Sequence, residues 1–374
     1  MRVGVEVGGT FTDLVLIDGE NLRVAKVPST PSSPDIGALN AIAAAQVEYA
    51  AIADLVHGST VATNAVLERK GAKVCFFTTK GARDLLLLQR HDKTAIYDLH
   101  YVKPKPVAAR RDTFEVGERM AANGTIVQAL VEKEARPIVQ SALAAEAYDA
   151  VAICFLNGYL NPENEMKLAE IVRGINPNIS ITCSHEVTRE FREYERASTT
   201  TLAAYVQPVI EGYLGRFVTA LEEKGFDGRF SVMQSNGGRM PAKAMARNAI
   251  TALFSGPAAG VVGALRQVEA SGVRDLITLD MGGTSTDVSL ISDGLPDLAP
   301  MTKIDGLPVK TPVIDIATVG AGGGSIGWVD DGGLLRVGPQ SAGAEPGPAC
   351  YGRGGNAFTV TDAHMIRGSV RPDS

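Results

Sequence analysis

The sequence predicts an α/β protein made of two related halves. Apolar runs of strand length alternate with helix-patterned segments along its 374 residues, the order expected of a sheet with helix cover. A second observation divides it. Residues 3–18 (VGVEVGGTFTDLVLID) and 277–292 (ITLDMGGTSTDVSLIS) are versions of one unit: an apolar strand with an acid near its end, Gly-Gly-Thr-x-Thr-Asp, and a second apolar strand. The offset from Gly8 to Gly282 is far longer than the few tens of residues of a solenoid repeat. Two related halves facing each other, each offering a tight turn to a shared ligand, are expected.

One unit reads as a β-hairpin. Val3, Val5 and Val7 alternate with smaller or polar residues, as in a half-buried strand. Gly8 and Gly9 leave no Cβ over the turn, so backbone N–H groups can come close to a ligand and form an anion-binding concavity. Thr10 and Thr12 add hydroxyls for phosphate oxygens or metal-bound water, and Asp13 adds a carboxylate. In the second unit these roles fall to Gly282, Gly283, Thr284, Thr286 and Asp287, while Glu6 and Asp280 are the strand-end acids facing the same gap. Such a set suits a magnesium nucleotide, because Mg²⁺ keeps most of its waters and takes few protein oxygens. A single Gly-Gly-Thr could equally be a plain hairpin turn; the duplication favours phosphate binding.

Composition narrows the class. The length favours two domains, and 45% hydrophobic with 21% charged residues is globular. A net charge of −6 without any dense Lys/Arg run gives no general attraction to nucleic acid. Cys75, Cys154, Cys183 and Cys350 make no C-x-x-C pair, which favours reduced thiols in a cytoplasmic protein. No signal peptide and no stretch of roughly 18 apolar residues is read, so no membrane association is expected. His57, His185 and His364 lack ligand spacing, and Cys350 has no evident base partner and reads as an incidental thiol in a rigid surface loop.

In chain order, residues 22–27 read as a third strand. Asp35 is expected to cap a helix running to about residue 53. Residues 54–58 end a strand and lead into His57-Gly-Ser-Thr-Val-Ala-Thr-Asn-Ala, where Ser59 or Thr60 either caps the next helix or meets an anion or carbonyl ligand. A strand at 72–78 and a helix at 81–88 follow. The polar stretch 90–98 is either solvated surface or the lining of a cleft. Residues 113–120 and 125–128 read as a strand pair around the Asn123-Gly124 turn. A helix at 133–147, a strand at 150–155, a helix opened by Asn161-Pro162 and a strand at 179–183 close the first lobe. Residues 190–204 read as an exposed helix laced with Arg/Glu pairs, broken or kinked at Pro208, with a further helix to about Lys224. The small-residue helix opening at Ser255 is read as the crossing between lobes. The glycine cluster at 319–326 either meets a ligand or links sheet to loop.

The order strand-turn-strand, crossing helix, strand-turn-strand resembles the actin, heat-shock chaperone and sugar-kinase superfamily. More specifically, the chain resembles the hydantoinase A/5-oxoprolinase family through VGGTFTD (7–13), HGSTVATNAVLERKGA (57–72), EYERASTTTLAAYVQP (193–208), MQSNGG (233–238), SGPAAGV (255–261), DMGGTSTDV (280–288), GAGGGSI (320–326) and GPACYGRGG (347–355). The resemblance implies a two-lobed actin-like ATPase (ribonuclease H-like) fold with an incomplete second lobe, divided as 1–190 and 191–374, because the family's A subunit runs several hundred residues further. It implies ATP-dependent ring opening of a cyclic amide such as a hydantoin or 5-oxoproline, with ATP and Mg²⁺ as cofactors and a hydantoinase B-type subunit as partner. Asp13, Asp280 and Glu6 would be catalytic, with Asp280 and Asp13 managing magnesium, directly or through water. Glu6 stands where the superfamily carries Asp. The alternatives are a small-molecule kinase of the same superfamily, a ketone carboxylase subunit and a non-catalytic scaffold.

Overall fold

The computed structural model describes residues 1–8, 11–30, 33–343 and 345–371. The chain forms two compact units, Met1–Gly256 with Ala299–Val313, and Pro257–Leu298 with Ile314–Ser374. The division expected near residue 190 therefore falls inside the first unit, and the chain passes between units within the helix Ser255–Val268.

Among the described residues, the first unit holds two larger sheets. In the six-stranded sheet, Arg2–Val7 lies between its hairpin partner Phe11–Asp18 and the parallel strand Asp54–Ser59, which in turn pairs in parallel with Arg229–Met233. Strand alternation sends Val3, Val5, Val7, Leu14 and Leu16 to one face. They are buried there against Ala38, Ala41 and Ile42 of the helix Pro34–Ala44 and against Phe217 and Leu221. The four-stranded sheet is wholly parallel, in the order Ser180–Cys183, Ala150–Cys154, Val74–Thr79, Thr113–Val116. Every residue of its two central strands is buried, as a parallel sheet covered on both faces requires.

One helix, Glu193–Glu223, joins the two cores. Instead of an exposed helix that breaks at Pro208, 31 residues continue through the proline. Both halves are anchored: Ala197 to Leu214 share a core with Phe76, Ala150 and Ala152, while Phe217 and Leu221 sit under the six-stranded sheet. Burial at both ends offsets the lost hydrogen bond. The Arg/Glu pairs are inward rather than solvated. Arg196 is fully buried and donates to the Phe155 carbonyl (2.5 Å), Glu193 (3.2 Å) and the Ser184 hydroxyl, and Glu195 takes a two-point ion pair from Arg90 (2.8 and 2.5 Å). That pair ties down the start of the polar 90–98 stretch, whose residues after Arg90 are exposed.

Other boundaries moved for local reasons. The first helix ends at Ala44, and Asp35 is its second residue, behind Ser33 and Pro34; its carboxylate accepts from Arg216 (3.3 Å) rather than capping. The helix expected over 81–88 shortens to Leu85–Leu88. Thr113–Val116 joins the parallel sheet, while Arg119–Met120 pairs with Ile126–Gln128 around the glycine turn.

In the second unit, Leu276–Met281 pairs antiparallel with Thr286–Ser292, which also pairs with Ile316–Val319. Ala258 and Val261 of the connecting helix cover one face, against Ile291, Ile314, Leu276 and Ile316. Among the described residues, no helix is long and apolar enough to cross a membrane.

Candidate functional site

The two hairpins share their register. Glu6 stands opposite Asp13 and Val7 opposite Thr12; Asp280 stands opposite Asp287 and Met281 opposite Thr286. Each hairpin thus sets a cross-strand pair of carboxylates behind its glycine turn. Each turn is closed by the same bond, Gly8 N–H to the Phe11 carbonyl (3.0 Å) and Gly282 N–H to the Ser285 carbonyl (2.8 Å). Gly9 and Thr10 lie outside the described residues.

Alternation sets which way each predicted residue faces, and it turns two threonines inward. Thr12 shares the buried face of Val7, and its hydroxyl lies 3.0 Å from that of Ser29, which donates to the Gly8 carbonyl (2.7 Å). Thr286 is likewise buried and donates to the Ala321 carbonyl (2.5 Å). Both hydroxyls bond beside their own turns, at the positions where phosphate contacts are expected. Gly282, Gly283 and Thr284 are exposed.

The acids differ in what holds them. Asp13 is half-buried and ion-paired with Lys26 at 2.6 Å. Asp287 accepts from the Thr318 hydroxyl (2.7 Å). Asp280 and Asp287 both line a cavity of about 410 Å³ together with Pro257, Gly260 and Ser289. Glu6 lies in a cradle of missing side chains: a Cβ on Gly58 would stand 2.0 Å from its Oε2, and one on Gly256 2.7 Å from its Oε1. Those two glycines make room for the methylene by which Glu exceeds Asp. The donors suit magnesium, which takes hard carboxylate oxygens one or two at a time and completes its shell with water.

The glycine cluster at 320–326 resolves into a buttress. Gly323 and Gly324 donate their N–H groups to the Gly282 and Gly283 carbonyls (2.8 and 2.6 Å), and a Cβ on Gly322 would meet that backbone at 2.7 to 2.8 Å. Ser59 and Thr60 also act locally. The Ser59 hydroxyl accepts from Val61 N–H (3.1 Å), and the Thr60 hydroxyl donates to the Val7 carbonyl (3.3 Å). His57, one strand over from Val5, is fully buried. Its Nδ1 faces the Val5 carbonyl (3.1 Å), an acceptor only, so Nδ1 carries the proton and Nε2 accepts from the Tyr213 hydroxyl (2.6 Å). Burial pulls its pKa down to about 4. Sequence reasoning gave no role to Gly58 or Gly256, whose setting in HGST and SGP was the available signal, and it left the 319–326 cluster open between a ligand contact and a link.

The architecture is a mixed α/β protein with parallel sheets and a duplicated glycine-turn hairpin backed by paired acids. The chain belongs to the hydantoinase/oxoprolinase family: the family's N-terminal region matches residues 2–176 and its hydantoinase/oxoprolinase domain residues 196–374. An uncharacterized protein of Methanocaldococcus jannaschii is 42% identical over 99% of this chain and 57% of its own length. The caprolactamase subunit alpha of Pseudomonas jessenii is 36% identical over 98% of this chain and 54% of the relative. The crystal structure of the ATP-dependent caprolactamase from the same organism superposes with a TM-score of 0.88 at 35% identity, covering 99% of this chain and 55% of that one. Nucleotide-free acetone carboxylase gives a TM-score of 0.81 at 29% identity, over 100% and 55% of the two chains. The chain therefore spans about half the length of these relatives.

Proposed function

We propose that this chain supplies the phosphate-gripping hairpins of an ATP-dependent enzyme that opens a cyclic amide, such as a hydantoin, 5-oxoproline or a lactam. The observation that carries this reading is the shared register of Glu6 with Asp13 and of Asp280 with Asp287 behind matching glycine turns. The proposed fold is a two-lobed actin-like ATPase, the two family regions covering residues 2–176 and 196–374. Bound ATP would supply the phosphoryl group that activates the ring carbonyl toward water.

The chain's own contribution is positional and electrostatic, the usual demand of phosphoryl transfer. With the Gly8 and Gly282 N–H groups engaged in closing the turns, the backbone N–H groups of Gly283 and Thr284 are the ones that would meet phosphate oxygens. Asp280 in its hairpin and Asp13 in its own would each offer a carboxylate to magnesium, directly or through water, Asp13 by giving up Lys26, and Thr318 keeps the Asp287 carboxylate oriented. Glu6 is the proposed catalytic acid of the first hairpin, its carboxylate lying close to the backbone of Gly58 and Gly256. Ring opening draws on a B-type partner subunit, in keeping with the relative's designation as a subunit alpha. The cytoplasm is the proposed compartment, in keeping with the free thiols Cys75, Cys154, Cys183 and Cys350.

The likeness to acetone carboxylase favours a second reading, ATP-dependent carboxylation of a ketone. Both are tested by measuring ATP turnover of the chain with its B-type partner against hydantoin, 5-oxoproline, caprolactam, and acetone with bicarbonate. Stimulation by a ring amide supports the first reading and by the ketone alone the second. No stimulation by any of them overturns both.

A further inference from the structure

A cavity of about 620 Å³ lies wholly within the first unit and shares no residue with either glycine hairpin. The strand Ser180–Cys183 and the residues before it form one wall. The helix Glu193–Glu223 supplies Ala203, Gln207 and Glu211, and residues 247–251 complete the lining. A space of that size is in the range that holds a small molecule.

The strand meets the cavity along its edge. Asn178 to Thr182 line it without a gap, whereas a sheet face would offer only every second residue. Ser180–Cys183 is the outer strand of its sheet, paired with Ala150–Cys154 on one side and, among the described residues, with no strand on the other. Its outward N–H and C=O groups are therefore open to a ligand. Two side chains add to them. Thr182 donates to Gln207 Oε1 (3.0 Å), which leaves the Gln207 N–H groups without a protein acceptor among the described residues. The Ser180 hydroxyl is buried with no hydrogen-bond partner, a state that native structures rarely leave unanswered.

The rim carries both signs of charge. Arg173, Arg247, Glu186 and Glu211 all line the cavity and are exposed, and among the described residues none of them is in an ion pair. Other exposed arginines of this chain do pair, as Arg110 with Asp84 and Arg136 with Glu132. We propose that this cavity binds a small zwitterion of the amino-acid type. Its carboxylate is taken by the guanidiniums of Arg173 and Arg247, which present paired N–H donors, and its ammonium by Glu186 and Glu211. A ligand of one sign would meet two like charges along with the two opposite ones, and a zwitterion answers both sets. Free amino acids and short peptides share this chemistry, and a peptide's amides also pair with the strand edge.

Hydrolysis of a lactam yields the same class of compound: the C–N bond breaks, the carbonyl carbon gains the oxygen of water and the nitrogen takes up its proton. That link to a product rests on the proposed function, but the binding itself does not.

The test is calorimetry on the full chain alone, without ATP or a partner subunit. The probes are 6-aminohexanoate, glutamate and triglycine, with hexanoate and hexylamine as analogues of a single charge. At least one zwitterion is expected to bind about ten-fold or more tightly than either analogue and to slow amide exchange over residues 180–183. Preference for triglycine would point to a peptide and preference for the other two to a free amino acid, and either supports the proposal. Arg247→Gln with Glu211→Gln is expected to weaken binding about ten-fold or more. The same change should leave thermal melting unchanged, since both side chains are exposed and unpaired. No binding of any zwitterion at up to about 10 mM, equal binding of hexanoate or hexylamine, or indifference to the double variant overturns the proposal. Failure of ring opening in the ATP turnover assay would leave this result standing, so the two readings fail separately.

Discussion

The carboxylate of Glu6 occupies the space that a side chain on Gly58 would need: a Cβ there would stand 2.0 Å from Oε2, and all three of its nearest neighbours are atoms of Glu6. Two strands thus fit by one having a long acid and the other having none.

Gly58→Ala should therefore push Glu6 aside without unfolding the chain, since the displaced atoms are the far end of a flexible side chain. Stability by urea melting is expected to change by less than about 1 kcal/mol. ATP turnover of the assembled enzyme is expected to fall about ten-fold or more, as a small misplacement of a reacting group can cause. Adding Glu6→Asp, which withdraws the carboxylate by one methylene, should recover part of it. A double variant no better than the single one would sink the cradle argument.

Gly322→Ala meets backbone instead. Its Cβ would fall 2.7 Å from the Gly282 carbonyl oxygen and 2.8 Å from that of Gly283, and no side chain can give way. The expected cost is about 1–3 kcal/mol of stability, together with weaker nucleotide binding measured by calorimetry. Gly320→Ala, with nothing within 4 Å, is the control and should change neither.

Thr286→Val separates the structural role from the one that its sequence position suggests. Losing the bond to Ala321 should cost about 1 kcal/mol by denaturant titration. ATP affinity should stay within about two-fold, whereas Asp280→Asn should lower magnesium-dependent ATP binding. A large loss of affinity in Thr286→Val with unchanged stability would return the hydroxyl to the phosphate site.

His57 gives a pH signature. Its folded-state pKa is about 4, below the ordinary histidine value of 6.5. The unfolded chain therefore binds the proton first as pH falls, and folding loses stability between about pH 6.5 and pH 4. The full effect is about 3 kcal/mol. Urea melts at pH 7 and pH 5 of the native chain and of His57→Gln should show a steeper loss in the native chain. Equal slopes would mean that the imidazole is solvated after all.

Both hairpins were legible because everything that makes them is local: apolar alternation, two glycines, and acids at fixed distances. The inward turn of Thr12 also had a local signal, since it shares the face of Val7 once the turn fixes the register. The long helix was not legible. A proline reads as a stop, and only burial of the segments on either side shows why the chain continues through Pro208. The glycine cluster at 320–326 was equally opaque, because its partners lie at Gly282 and Gly283, about forty residues away in sequence.

By itself, then, the chain's order of residues determined which strands turn back on themselves and which acids stand behind each turn, since short-range sterics and a two-residue period leave little choice. Tertiary structure decided which of those groups face outward, how Glu6 is accommodated and what supports the second turn. Those outcomes depend on which distant backbone comes within a van der Waals radius, and no stretch of sequence carries that information alone.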